Sequence, residues 1–234
     1  MDILITGATS GIGDAFAKIA ASAGHRVVAV GRRKEKLEAL ASEYPAHIFP
    51  FPADVCDAPA MANAVRFAVD TFGGLDAVVP NAGIAYFSPL GSGQLEHWQQ
   101  TVDVNISGVL NTIHPALPHL KASRGTVVLI GSVAGRQVFN NSGIYCMTKH
   151  AVLALADAIR LDCRGEIAVS TVNPGSVDTP FIERTQDEEI KAEYRPNFAA
   201  GLRPEMVAEQ ILHVLTSRGR GVISELTIRP DSIR

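Results

Sequence analysis

The chain is 234 residues long, 47% hydrophobic and 19% charged, with a formal net charge of -3. That length suits one sizeable domain, and the hydrophobic content excludes a disordered or fibrous chain. The slightly acidic balance excludes the broad basic field that binding to nucleic acid or an anionic membrane requires.

In chain order, an apolar β-branched run at 3–6 predicts the first strand. Helical periodicity follows over 12–23, with Gly24 placed to end that helix in a left-handed conformation. A strand at 26–30 precedes a helix at 34–43. A weaker strand is expected at 47–52, where Pro50 and Pro52 argue against a central, regularly bonded position. A helix at 58–72, a strand at 77–80, a helix at 95–110 and a strand at 126–130 come next. The stretch 143–162 reads as a helix that is apolar around most of its circumference. It is therefore expected to pack on the sheet with one side and on a partner subunit with the other. A strand at 167–172 and a helix at 204–217 follow, the helix opened by Pro204 and Glu205. The last strand is expected at 222–228. This alternation predicts βαβ units, and so one α/β domain over 1–234 with a parallel sheet covered by helices on both faces.

The first strand runs directly into a turn containing Gly7, Gly11 and Gly13 and then into a helix. Residues without Cβ let backbone approach a pyrophosphate, which then sits at the donor-rich positive end of the helix. At a first strand-to-helix junction this pattern predicts dinucleotide binding. An NAD-selective site places an acid near the ribose 2′-hydroxyl, at the tip of the second strand. Here that tip is Gly31-Arg32-Arg33. Two guanidinium groups suit a 2′-phosphate, so NADP is expected over NAD. Asp54 and Val55 follow the third strand, where a carboxylate reaches an adenine amino group, although a helix cap is the plainer role for such an Asp.

Tyr145 and Lys149 are four residues apart on a helical stretch and share one face. A phenol ionises near pH 10 and is a poor base at neutrality. An ammonium one turn away is expected to lower that value and make Tyr145 a usable proton donor and acceptor. Ser132 stands at the end of the strand 126–130, on the sheet edge where open α/β folds bind ligands.

These motifs resemble the short-chain dehydrogenase/reductase family over essentially the whole chain. The segment 6–13 is similar to its cofactor motif, 80–83 to its NNAG motif, 145–149 to its YxxxK motif and 173–179 to its PG motif. The resemblance implies a single Rossmann domain with a seven-stranded parallel sheet in the order 3-2-1-4-5-6-7. It also implies hydride transfer between a nicotinamide and a carbonyl or alcohol carbon. In that scheme Tyr145 transfers the proton, Ser132 orients the reacting oxygen, and Lys149 lowers the tyrosine pKa and holds the nicotinamide ribose. Asn105 holds a water in a proton relay. Thr9, Ser10 and Ile12 join the glycines as cofactor contacts, with Asn81, Ala82, Gly83, Pro174, Gly175, Val177 and Thr179 further along. Pro80 departs from NNAG by removing a side chain and a backbone N–H, so a locally altered strand end is expected.

The resemblance places a substrate-covering segment at 176–203, whose dense charge suits a mobile helix or loop. Arg184, Arg195 and Arg203 are candidates to meet a substrate carboxylate. The expected floor is Ala134, Arg136, Gln137 and the segment 84–87. The ending at 221–230 is similar to the branch of serine and 3-hydroxy acid dehydrogenases, so a small hydroxy acid or its oxo acid is the first substrate expectation. A ketone, aldehyde or 3-oxoacyl reductase is the second. A dinucleotide-binding sensor without chemistry is the alternative from a different class. A homodimer or homotetramer is implied. Cysteines at 56, 146 and 163 lack CxxC spacing, and the histidines form no ligand motif, so neither a disulfide scaffold nor a metal is expected. No apolar run reaches the ~18 residues of a membrane span. The opening residues lack the basic stretch of a secretory signal, so a cytoplasmic location is expected.

Overall fold

The computed structural model describes residues 1–219 and 221–231; the predicted domain also takes in 220 and 232–234, which lie outside the described residues. Strands β1 (Asp2–Thr6), β2 (Arg26–Gly31), β3 (Ile48–Pro52), β4 (Ala77–Val79), β5 (Thr126–Ile130), β6 (Ala168–Pro174) and β7 (Glu225–Ile228) form one sheet. Its order is β3-β2-β1-β4-β5-β6-β7, and every pairing is parallel. Between the strands lie α1 (Gly11–Ser22), α2 (Lys34–Glu43), α3 (Ala58–Phe72), α4 (Leu95–Val102), α5 (Gly108–Ser123), α6 (Gly143–Asp162), α7 (Glu188–Ala199) and α8 (Pro204–Thr216). This is the single Rossmann-like α/β domain that the alternating pattern predicts.

Period-2 alternation sorts the side chains of the inner strands between two cores. Ile3, Ile5, Val27 and Ala29 pack with Phe16 of α1 and Val207 and Ile211 of α8. Leu4, Val28, Val127 and Leu129 pack with Met61 of α3, Ile113 of α5 and Val152 of α6. Both faces of the sheet are therefore apolar, which explains strands without a polar side. The strand order reverses between β1 and β4, and parallel sheets leave a ligand crevice beyond the strand ends at that point.

Local chemistry sets several boundaries. Gly24 takes φ 82° and donates to Ala21 O at 2.9 Å, ending α1. β3 pairs only with β2, so its prolines sit in an edge strand. β4 stops at Val79 before Pro80, which has no N–H for the ladder. Beyond it, the Asn81 and Ala82 N–H groups both donate to Thr6 Oγ1 at 3.1 Å.

Three features differ from the sequence expectation. The predicted helix at 95–110 continues to Ser123, through a π-helical turn at Asp103–Ser107 and past Pro115 and Pro118. Burial of Val109, Ile113, Ala116 and Leu120 against the α3 side offsets the backbone bonds that the prolines forfeit. The covering segment is ordered into the short turn Ile182–Arg184 and helix α7, which Asp187 caps by accepting from Glu189 N and Ile190 N. The last strand begins at Glu225 rather than 222, since pairing with β6 starts at Thr171 opposite Glu225.

Candidate active site

A cleft of about 820 Å³ lies over the ends of β1 and β4–β6. Its first wall is the turn 7–12, with Gly7, Thr9, Ser10, Gly11 and Ile12 lining it. Gly7 takes φ +71°, and a Cβ there would stand 2.9 Å from Ala82 Cα. Gly13 does not line the cleft. A Cβ on it would collide with Gly7 O, so this glycine lets α1 close onto the turn instead of touching a ligand. Ser10 makes no side-chain cap bond, and the first-turn N–H groups of α1 have no intrahelical partner.

At the far end of that wall, Gly31 is required by a close approach: a Cβ would sit 2.8 Å from Thr9 Cγ2. Arg33 folds back onto the turn. Its Nη2 donates to Thr9 O at 3.0 Å, Thr9 Oγ1 at 2.8 Å and Ser10 Oγ at 2.9 Å. Arg32 also lines the cleft and reaches Asp54 Oδ2 at 3.5 Å. Burial acts to raise the Asp54 pKa, but the Cys56 N–H and Arg32 outweigh it and hold the carboxyl below its ordinary value. Val55 also lines this end. Lys36 lines it too, was not singled out by the sequence reading, and forms no ion pair among the described residues. The available signal was its position, one helical turn after Arg33 at the start of α2.

The chemical end gathers Ser132, Tyr145 and Lys149 in the same cleft. Ser132 Oγ accepts from Ala134 N at 3.1 Å and donates to Pro174 O at 3.4 Å. Lys149 is 7% exposed; its Nζ donates to Ile130 O at 2.8 Å and lies 5.7 Å from the Tyr145 ring centroid. Burial pushes the Lys149 ammonium down to about 8. Burial also pushes the Tyr145 phenol up to about 12, against the opposing pull of its hydrogen bond with Ser132. The expected lowering of the tyrosine by lysine is thus not found: desolvation dominates, and the group that pulls the phenol down is Ser132.

Asn105 lies behind the cleft wall rather than on it. It is 1% exposed, sits on the π turn and does not line the cleft. Its Oδ1 accepts from Ile84 N at 2.8 Å, while Nδ2 donates to Ile84 O at 2.8 Å and to Thr148 Oγ1 at 3.1 Å. A side chain so engaged positions Ile84, which does line the cleft.

The remaining walls come from Asn81, Ala82 and Gly83 after β4 and from Pro174, Gly175, Val177 and Thr179 after β6. Thr179 closes over the turn, with Cγ2 3.0 Å from where a Gly11 Cβ would be. Ser176 lines the same stretch, and its buried Oγ has no hydrogen-bond partner. The sequence reading missed this residue. An orphaned hydroxyl, unfilled helix N–H groups and a glycine cradle fit the amide and phosphates of a dinucleotide.

On the substrate side, Ala134, Gln137, Ile84 and Phe87 line the cleft as expected. Arg136 instead pairs with Glu225 at 2.7 Å, Ala85 is fully buried, and Tyr86 stacks on His97 at 4.1 Å. Of the candidate arginines, Arg184 lines the cleft, Arg195 pairs with Glu183 at 3.0 Å, and Arg203 lies outside.

The profile of the short chain dehydrogenase family matches residues 2–190. The chain belongs to the short-chain dehydrogenase family. An uncharacterized oxidoreductase of Staphylococcus aureus (strain MW2) is 35% identical over 230 residues, covering 97% of this chain and 96% of the relative. The closed form of a serine dehydrogenase complexed with NADP+ superposes with a TM-score of 0.93 at 28% identity, covering 100% of this chain and 96% of that one. A 3-ketoacyl-ACP reductase from Sinorhizobium meliloti 1021 gives 0.84 at 32% identity, covering 97% and 96%. This short-chain dehydrogenase is therefore an oxidoreductase of a family that uses nicotinamide dinucleotides. Among its described residues no helix is long and apolar enough to cross a membrane, and no group of three or more His, Cys, Asp or Glu could hold a metal ion.

Proposed function

We propose that this short-chain dehydrogenase interconverts a secondary alcohol and its carbonyl compound and prefers NADP(H). The observation that carries the reading is one continuous cleft. It joins a cationic end formed by Arg32, Arg33 and Lys36 to the Ser132, Tyr145 and Lys149 group. Bound along it, the dinucleotide would supply or accept the hydride. Arg32 and Lys36 would face its 2′-phosphate, with Arg33 bracing the turn through Thr9 and Ser10. The segment 174–179, with Ser176 Oγ, would hold its amide end.

Tyr145 is a neutral phenol throughout the physiological range, since its pKa is pushed up to about 12. In that form it donates a proton to a carbonyl oxygen as the carbon is reduced. In the reverse direction it must first lose its own proton, and the Lys149 ammonium stabilises the phenolate that forms. Ser132 orients the reacting oxygen. The convergence of all three groups disfavours a sensor without chemistry.

For the substrate, the first reading is a 3-hydroxy acid and its oxo acid, supported by the similarity to serine dehydrogenase. The second is a ketone, aldehyde or 3-oxoacyl compound, favoured by the likeness to the 3-ketoacyl-ACP reductase and by the apolar substrate wall. The test is steady-state turnover of a carbonyl panel with NADPH and NADH in the parent and in Tyr145→Phe. A loss of at least ~100-fold in kcat with dinucleotide affinity retained is expected. Near-parental turnover in the variant would overturn the mechanism.

A further inference from the structure

Beside the catalytic tyrosine the cleft is walled by aromatic rings contributed by three distant parts of the chain. Phe87 comes from the loop after β4, Phe181 from the segment after β6, and Tyr194 and Phe198 from one face of α7. Phe181 meets the Tyr145 ring edge-on at 5.4 Å, and Phe87 lies 6.4 Å from it. Phe87 and Tyr194 stack at 5.1 Å, and Phe198 stands 6.1–6.2 Å from Phe181 and Phe87. The Tyr194 hydroxyl donates to Asn140 O and so fixes α7 over the cleft. Phe181, Tyr194 and Phe198 are each only partly buried while lining a concave site. Half-covered aromatic faces in a cleft gain most from a flat apolar ligand.

We propose that the substrate carries an aryl group beside its reacting carbonyl or alcohol carbon, seated against Phe181 and Phe198. This deepens the proposed function and rests on it. The same faces would also attract a quaternary ammonium. However, none of the lining residues from 84–87, 134–145 and 180–198 is acidic, and Arg184 is cationic. That charge balance opposes a cationic substrate and leaves stacking and apolar burial as the recognition. A saturated ring of similar size supplies the burial without the aromatic quadrupole, so the two contributions can be separated.

The experiment compares three ketones with NADPH: an aryl ketone, its cyclohexyl counterpart and its small alkyl counterpart, with a trimethylammonium-bearing ketone as a fourth arm. In the parent, kcat/KM for the aryl ketone is expected to exceed that for the cyclohexyl ketone by about 3- to 10-fold. Phe181→Leu and Phe198→Leu should each shrink that ratio, which is read within each variant and so does not depend on its overall turnover. Two variants on different segments guard against a single folding failure, and binding of the aryl and cyclohexyl alcohols measured by calorimetry with NADPH present, where no hydride can be transferred, should show the same ordering. Equal efficiency across the three neutral ketones, an aryl preference that survives both variants, or preference for the ammonium compound would overturn the inference and leave the proposed oxidoreductase intact. Inactivity toward all four ketones with 3-oxo acids still reduced would overturn the inference alone, and inactivity toward both classes and their alcohols would overturn both.

Discussion

Removing the two cations proposed to face the adenosine end would separate recognition of a 2′-phosphate from construction of the turn. In Arg32→Leu/Lys36→Ala, the folded structure loses one exposed ion pair, Arg32 with Asp54 at 3.5 Å, in which the arginine side chain is 59% exposed. Such a pair contributes ~0–1 kcal/mol, so thermal unfolding should move by no more than a few degrees. A charged hydrogen bond to phosphate contributes roughly 1.5–3 kcal/mol when well shielded. At this exposure about 1 kcal/mol per cation is the appropriate figure, which together corresponds to a roughly 10- to 50-fold fall in kcat/KM for NADPH. NADH, lacking the phosphate, should be nearly unaffected. Arg33→Ala should behave differently, because its guanidinium holds Thr9 and Ser10 and both dinucleotides need that turn. Initial rates at fixed ionic strength provide the assay, and added salt should reduce the parent's NADPH advantage. An equal loss with both cofactors in the double variant, or a parent that prefers NADH, would refute the reasoning. Placing an acid at 31 is a less clean test, since its Cβ would meet Thr9 Cγ2 at 2.8 Å and disturb the turn itself.

Lys149 has a folded pKa of about 8, below its ordinary value, because burial disfavours the ammonium. The unfolded chain therefore binds more protons between about pH 8 and the ordinary lysine value near 10.4, and this group makes stability rise with pH across that window. Thermal unfolding of parent and Lys149→Met from pH 7 to 10 should show the parent gaining on the variant; parallel curves would refute the assignment. Alcohol oxidation should rise from pH 7 and level off above about pH 8, because the active pair is the Tyr145 phenolate beside the Lys149 ammonium, one proton lost in all, and Lys149 sheds its own near 8; a rate that climbs unabated to pH 10 would contradict that. Asn105→Leu leaves the Ile84 N–H and C=O without their partners, a loss of roughly 2–4 kcal/mol that denaturant unfolding would detect. The proposed homodimer or homotetramer rests on outward apolar side chains of the two predicted helices, Leu110, Met147 and Leu161, the last 76% exposed. Light scattering at micromolar concentration should show the oligomer, and Leu161→Glu should weaken it; a monomeric parent would rule the assembly out.

The elements that the chain specified locally are those whose cause is local. Gly24 ends α1 because a left-handed residue without Cβ suits that position, and Pro204 opens α8 because a first-turn residue needs no N–H. The prolines at 50 and 52 assigned β3 to an edge, and unbroken apolar strands announced a sheet covered on both sides. The glycine turn and the pairing of Tyr145 with Lys149 were equally legible, since both depend on short spacings along one element. Other features required residues far apart in the chain to meet. The helix through Pro115 and Pro118 persists because its apolar face is buried against α3-side residues, which no local propensity records. Arg33 lines the cleft yet bonds to the glycine turn because Thr9 and Ser10 lie within reach of its guanidinium. Asn105 is consumed by Ile84 for a similar reason. The aromatic wall unites Phe87, Tyr145, Phe181, Tyr194 and Phe198 across more than a hundred positions, and the Tyr145 pKa is set by the desolvation that such enclosure imposes. Burial and long-range contact are properties of the folded chain, and at this site they decide which side chains touch a ligand and which hold the others in place.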